Sequence, residues 1–373
     1  MGADFFRRFA VPTAALVLAA CGATARPDRA RLAALDGRLA QLLLVGFSGT
    51  GAADNAEVAR LLCQTRVGGL LLFGRNVTGV EQVAALTRDI QEAAARCDAT
   101  PPLIAVDAEG GRVMRLSPSA GYTETLSHDE LGDGNDLALT ELEARRIGRM
   151  LREAGINWNL APVVDVGYNP ANPVIVATGR SFGTDPLRVA AHARAYVRGM
   201  RDEGVLTALK HFPGHGSSYD DSHHGFVDVT DTAQPEIELA PYRALMAEGM
   251  VDSIMTAHVF NRALDARYPA TLSRGTIAGL LRDTLGYDGP VVSDDLRMGA
   301  IQKQYGLETA AVLALQAGVD VLLIAEDRLP DGRSASDVAL GAIRRALAAG
   351  ELDPDRVEAA LAHVVQLKAR ALR

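Results

Sequence analysis

Val205-Leu206-Thr207-Ala208-Leu209-Lys210-His211 is a short apolar run ending in two groups able to carry charge, and it leads directly into Phe212-Pro213-Gly214-His215-Gly216-Ser217-Ser218-Tyr219-Asp220-Asp221-Ser222-His223-His224-Gly225. Pro213, Gly214, Gly216 and Gly225 forbid regular helix there, so a buried strand is expected to open into a loop. Four of the chain's eight histidines fall between Lys210 and Gly225, together with Asp220 and Asp221. A strand whose C-terminal end delivers such a loop is the arrangement of an α/β protein that holds its chemistry at strand ends.

Three readings of the loop compete. His211, His215, His223 and His224 have the donors for zinc, but Pro213 and Gly214 deny the helical spacing of an HExxH site and no other ligand spacing stands out. No metal or other cofactor is therefore expected. A polar surface loop with incidental histidines explains the density of His and Asp poorly. Acid/base chemistry explains it better: in Asp221-Ser222-His223 the carboxylate accepts from one ring nitrogen, which fixes the tautomer and leaves the other nitrogen for a substrate.

Working outward, short apolar runs recur at 41–47, 67–73, 103–106, 156–166, 205–211, 253–259, 291–294 and 319–324, and most of the gaps carry an amphipathic helical pattern. Asp185-Pro186 predicts a helix over 187–203 that stops at Gly204, Ser273 caps another that ends near Gly286, and Asp353-Pro354 opens a last helix running to about Leu372. Val357, Leu361, Val364, Val365 and Leu367 predict one buried face for it. Eight strand–helix units point to an α/β fold, a single (β/α)8 TIM-type barrel with an additional C-terminal helix. A doubly wound sheet is the alternative, but Gly46-Phe47-Ser48-Gly49-Thr50-Gly51 does not fit its phosphate-binding turn.

In a barrel the polar residues that terminate the runs converge on one mouth: Asp107 and Glu109, Asp165, Lys210 and His211, His258, Asp294 and Asp295, and Glu326. Glu109 before Gly110-Gly111 could cap backbone donors, Asp165 could hold a loop, and His258 could be a satisfied core histidine; for these, support and substrate contact both stay open. Asp294 follows Val291-Val292-Ser293, where a charge is costly unless paired or used, and use is the expectation.

A formal net charge of −8 without a basic cluster argues against nucleic acid as a partner, and 48% hydrophobic residues supports a substantial core. Residues 1–21 read as an export signal: Arg7 and Arg8, then an apolar run from Phe9 to Ala20 too short to span a bilayer. Leu18-Ala19-Ala20-Cys21 resembles a bacterial lipobox with Cys21 lipidated, which would tie the protein to a membrane only through a lipid anchor. The expected organisation is then a signal over 1–21, a tether over 22–37 and one domain over 38–373, on the periplasmic side of the cell envelope. A plain cleaved signal, or a misassigned start and a cytoplasmic protein, are the alternatives. Cys63 and Cys97 each fall near the end of an expected helix and stay open between a disulfide and two buried thiols.

Four blocks carry a resemblance: Val106-Asp107-Ala108-Glu109-Gly110-Gly111-Arg112-Val113-Met114-Arg115, Gly179-Arg180-Ser181-Phe182, the stretch from Lys210 to Gly225, and Val292-Ser293-Asp294-Asp295-Leu296-Arg297-Met298. In this order they resemble glycoside hydrolase family 3, in its β-N-acetylhexosaminidase branch, over roughly residues 38 to 325. The resemblance implies Asp294 as nucleophile, His223 as acid/base with Asp221 as its orienting partner, and Asp107, Arg115, Arg180, Lys210 and His211 as substrate contacts. Ala108 and Ser217-Ser218-Tyr219 depart from the family pattern without removing a catalytic group.

What the resemblance implies is a retaining exo-β-N-acetylhexosaminidase that releases terminal β-linked N-acetylglucosamine through a covalent glycosyl-enzyme on Asp294. The partner is a small saccharide or peptidoglycan fragment, and a monomer is expected. A histidine base does not repel an anionic acceptor, so a phosphorylase of the same family is the nearest other chemistry. A non-catalytic saccharide-binding lipoprotein on the same scaffold is the reading from a different class.

Overall fold

Short apolar runs separated by helices can satisfy their backbone groups by pairing in parallel, buried on both faces. The computed structural model describes residues 29–371 and has that arrangement. The expected signal over 1–21, Cys21 and Leu372 lie outside the described residues. Arg29–Asp36, in the stretch read as a tether, is a helix whose Leu35 is buried in the core.

Six strands form one parallel sheet in the order Leu322–Ile324, Leu43–Gly46, Gly69–Leu72, Leu103–Val106, Trp158–Asn159 and Leu206–Thr207. Val291–Val292, Ile254–Thr256 and Leu209–Phe212 form a second parallel sheet. Single bridges, Val163 with Lys210 and Val292 with Val321, stand between the two, so the eight-stranded barrel expected from the sequence is seen as two sheets and not as one continuous ladder. The strands are shorter than the apolar runs. The 156–166 run pairs as a ladder only at Trp158–Asn159, because Pro162 has no N–H and the Asn159 side chain takes the N–H and C=O of Ala108. Val259–Phe260 leaves the main sheets to pair with Val227–Asp228.

Every residue of the Leu43–Gly46, Gly69–Leu72 and Leu103–Val106 strands is buried, as a sheet covered by helices requires. The covering helices start where their caps predict. Asp185 accepts from the Leu187 N–H at the head of Pro186–Asp202, and the Ser273 hydroxyl accepts from the Thr276 N–H before the π-helical run Gly275–Thr284. The last helix is Pro354–Ala371, with Val357, Leu361, Val364 and Leu367 buried. Val365 is 59% exposed, contrary to the expectation, because it follows Val364 by one position and so turns about 100° off the buried stripe. Lys368 takes the inward place instead, donating to Gln41 Oε1 at 2.8 Å, and burial pushes its ammonium down to about 8. Cys63 and Cys97 are joined in a disulfide that closes the expected helix ends together.

Two buried carboxylates fasten the far ends of the strands, away from the expected mouth. Asp320, ahead of Leu322–Ile324, accepts from the Val291 N–H and from Arg282, and it pairs with Arg356. Burial alone would raise its carboxyl, but His363, Arg356 and Arg282 outweigh burial and hold it below the ordinary range. Asp252, ahead of Ile254–Thr256, accepts from the Thr207 N–H and hydroxyl and pairs with Arg201 and Arg370. Arg356 and Arg370 both belong to the last helix, so these charges fasten it to the strands. Each carboxylate meets several donors, the condition under which a buried charge is tolerated.

Candidate active site

Leu71, Met255 and Leu323 from the strands, with Leu160 just past Trp158–Asn159, line a cavity of about 410 Å³. Asp107, Arg115, Arg180, Lys210, His211, Asp221, His223 and Asp294 all line it. They arrive from separate places in the chain. Asp107 follows the Leu103–Val106 strand, Arg115 follows Val113–Met114, Lys210 and His211 sit on Leu209–Phe212, and Asp294 lies two residues past Val291–Val292. Phe73, Val113, Pro173, Val174 and Met298 make an apolar side wall.

The cations of the cavity are held by carboxylates. Lys210, only 2% exposed, donates to Asp107 Oδ1 at 2.8 Å and lies 2.7 Å from Glu109 Oε1. Arg180 meets Glu109 through two parallel bonds of 2.8 Å, and Arg115 lies 3.6 Å from the other oxygen of Asp107. Burial would raise the Glu109 carboxyl, but Arg180 and Lys210 pull it far below the usual range, and Asp107 and Glu109 in turn overcome burial to hold Lys210 above its own. Glu109 therefore does not cap the turn as its sequence context allowed. It is the buried counter-charge of two cations, Arg180 and Lys210.

His211 donates from Nδ1 to Asp165 at 2.7 Å, and its Nε2 faces Arg180 at 3.4 Å. Asp165 also accepts the backbone N–H groups of His211 and His215, so it holds the loop, as one reading of the sequence allowed. His215 is a buried spacer that burial pushes down to about 4, hence neutral. The Ser218 hydroxyl donates to the His215 carbonyl, so His215 Nδ1 donates to Ser218 Oγ and its Nε2 accepts from Ser222. Gly216 passes so close to Val166 that an added Cβ would sit 2.0 Å from its carbonyl oxygen, and only glycine fits.

Beyond this fixed base the chain carries Asp221 and His223 outward. His223 Nδ1 lies 2.6 Å from Asp221 Oδ1, which also accepts the His223 N–H at 2.9 Å. Burial raises the Asp221 carboxyl, but the bonds from His223 and its charge outweigh that and keep it lowered. With Nδ1–H committed to Asp221, Nε2 is the free nitrogen of a half-exposed ring. His224 points to solvent at 87% exposure and takes no part in the cavity.

Asp294 and Asp295 are adjacent but differ. Asp295 accepts from the Ala325 and Arg297 N–H groups, and burial, with Asp294 beside it, pushes its carboxyl up to about 6. Asp294 is held below the ordinary range although burial opposes this, chiefly by His258 and His211 and then by the Asp295 N–H. Of the two it is the carboxylate held in its ionised form, and it lines the cavity. His258 is the satisfied buried histidine that its sequence position allowed, bonded to Thr271 and to the Asp295 carbonyl. Glu326, expected at the mouth, stays outside the cavity: its backbone and side chain engage Arg297. The apolar wall at Pro173 and Val174 had no signal in the sequence, since each reads as an ordinary loop residue, whereas Phe73 ends the apolar run 67–73.

The profile described as "Glycosyl hydrolase family 3 N terminal domain" matches residues 34–367. "Beta-hexosaminidase LpqI" of Mycobacterium tuberculosis is 37% identical over 341 residues, covering 89% of this chain and 82% of that one. "Beta-hexosaminidase" of Stenotrophomonas maltophilia is 37% identical over 317 residues, covering 80% and 90%. Among solved structures, a glycoside hydrolase family 3 beta-N-acetylglucosaminidase from Paenibacillus sp. strain FPU-7 superposes with a TM-score of 0.84 at 40% identity over 91% of this chain, which spans 62% of that protein's length.

Proposed function

The chain belongs to glycosyl hydrolase family 3, and from that premise we propose that it is a retaining exo-β-N-acetylhexosaminidase, with Asp294 as nucleophile and His223, aligned by Asp221, as acid and then base. The observation that carries the reading is the shared cavity: a partly buried, ionised Asp294 and the free Nε2 of an Asp221-bound imidazole open onto one space lined by Asp107, Arg115, Arg180, Lys210 and His211.

In the first step Asp294 bonds to the anomeric carbon as the glycosidic bond breaks, and protonated His223 gives its Nε2 proton to the leaving oxygen. In the second, neutral His223 takes a proton from water as that water attacks the same carbon and Asp294 leaves as carboxylate. The Asp221 charge supports the imidazolium in one step and keeps Nε2 as the basic nitrogen in the other. Asp107 accepts from sugar hydroxyls, and the cations donate to hydroxyl or acetamido oxygens. Arg115, Arg180 and Lys210 already face carboxylates, which supports hydrolysis over use of inorganic phosphate.

The substrate reading is terminal β-linked N-acetylglucosamine on peptidoglycan-derived saccharides. We also take the two parallel sheets as one closed barrel, supported by the bridges of Val163 and Val292, and residues 38–373 as its single domain, to which the Arg29–Asp36 helix adds the buried Leu35. Comparing release of a chromophore from an aryl β-N-acetylglucosaminide and from the matching β-glucoside tests the specificity. Turnover of the acetamido sugar is expected to be at least about tenfold faster, because losing a hydrogen-bonded acetamido group leaves polar groups unpaired. Turnover of neither sugar, with or without phosphate, would move the reading to a binding protein. The anchor is proposed at Cys21, and Cys21→Ser is expected to move the protein from the membrane fraction to the soluble one; a variant that stays bound would remove the lipid from the account.

A further inference from the structure

Within the loop that carries Asp221 and His223, the buried anchor is the Ser222 hydroxyl on His215 Nε2. Ser222 is buried, but His223 and His224 face solvent by half or more, and Tyr219 at the tip is exposed. What meets the turn is the segment that leaves the nucleophile strand. The N–H groups of Gly299 and Ala300 reach the carbonyls of His223 and Ser222, each at 3.3 Å, and the Lys303 ammonium donates to the His224 carbonyl at 2.8 Å. The approach depends on residue 299 being glycine, since an added Cβ would stand 2.9 Å from His223 O and 3.0 Å from the carbonyl carbon of His224. Gly299 does not have a left-handed φ, so alanine is allowed there by its own backbone and is refused only by the loop.

We infer that Gly299 and Lys303 are positioning residues: they latch the 221–224 turn and so set where His223 stands relative to Asp294. The inference rests on the acid/base role given above to His223. Its geometric content is that residues 294–303 carry the nucleophile at one end and grip the acid/base turn at the other. The spacing of the two catalytic groups then depends on this short local bridge together with the Ser222–His215 bond at the base of the turn.

The test separates proton transfer from nucleophilic attack. A dinitrophenyl N-acetylglucosaminide needs no acid to depart, whereas a phenyl one does. Gly299→Ala is expected to lower kcat/KM on the phenyl glycoside about 10- to 100-fold, as misplacement by about an ångström does, and to change it by less than about threefold on the dinitrophenyl glycoside. With the latter, azide should restore kcat, because azide takes the sugar from Asp294 without needing a base. Lys303→Met, on an exposed side chain that does not threaten folding, should show the same pattern more weakly, and Lys303→Arg should not. Equal losses on both glycosides, or no loss on either, would overturn the latch. His223→Ala run alongside keeps the two ideas apart. If it shows the leaving-group dependence and Gly299→Ala does not, the latch alone falls; if His223→Ala shows none, the acid/base reading falls and the latch with it.

Discussion

Asp294→Asn is expected to fold, to bind saccharide, and to lose turnover of an aryl β-N-acetylglucosaminide by roughly 10⁴-fold or more, the scale on which removal of a covalent nucleophile acts. The amide is nearly the same shape as the carboxylate, and its oxygen can still accept the Asp295 N–H that Asp294 accepts at 2.7 Å. What is lost is the charge. An amide cannot form the glycosyl ester, and the neighbouring Asp295 is badly placed to substitute, because its carboxylate serves the Ala325 and Arg297 N–H groups and burial, the largest cause that raises it, remains in the variant. Unfolding midpoints and saccharide affinity measured beside kcat separate this result from a loss of structure. Retention of more than about a tenth of wild-type turnover would take the nucleophile away from Asp294.

The second large effect concerns the partner of His223. Asp221→Asn should leave the fold intact, since the amide oxygen can still accept the His223 N–H, and should slow both formation and breakdown of the glycosyl-enzyme by about 10²-fold or more. The carboxylate does two things an amide cannot. It stabilises the imidazolium that donates the first proton, and it fixes Nδ1 as the protonated nitrogen so that Nε2 is basic in the second step. Transient kinetics read the two steps separately. A variant slowed in one step alone would restrict the dyad to that step, and unchanged kinetics in both would remove it.

The parts of this site legible in the sequence were those that depend on the end of a strand. Val291-Val292-Ser293 delivered Asp294 and the Val205–His211 run delivered Lys210 and His211, because a buried strand fixes where its next residue emerges. The Asp221-Ser222-His223 contact was also legible, being local in the chain. Pairings across the chain were not. Nothing near Glu109 announces Arg180 or Lys210, and its reading stayed open between turn support and substrate contact; nothing near Asp320 announces Arg282 or Arg356. Strand lengths failed for a related reason, since apolar character marks burial and not ladder pairing, and the 156–166 run is buried well beyond its two paired residues. Val365 shows the same limit on a helix, where composition named five apolar positions and only the rotation about the axis decides which face inward. Gly299 carried no signal at all. Its importance lies in the backbone of a loop 75 residues earlier.

Mass analysis of the protein after incubation with a 5-fluoro-N-acetylglucosaminyl fluoride tests the account at its centre. Fluoride leaves without help from His223, and the ring fluorine slows release of the sugar, so a covalent glycosyl-enzyme should accumulate. The expected result is one added sugar, located by peptide mapping on Asp294 and absent from Asp294→Asn. Steady turnover of ordinary substrate with no adduct would point to attack by the substrate's own acetamido oxygen, and an adduct on Asp295 or any other residue would contradict the assignment directly.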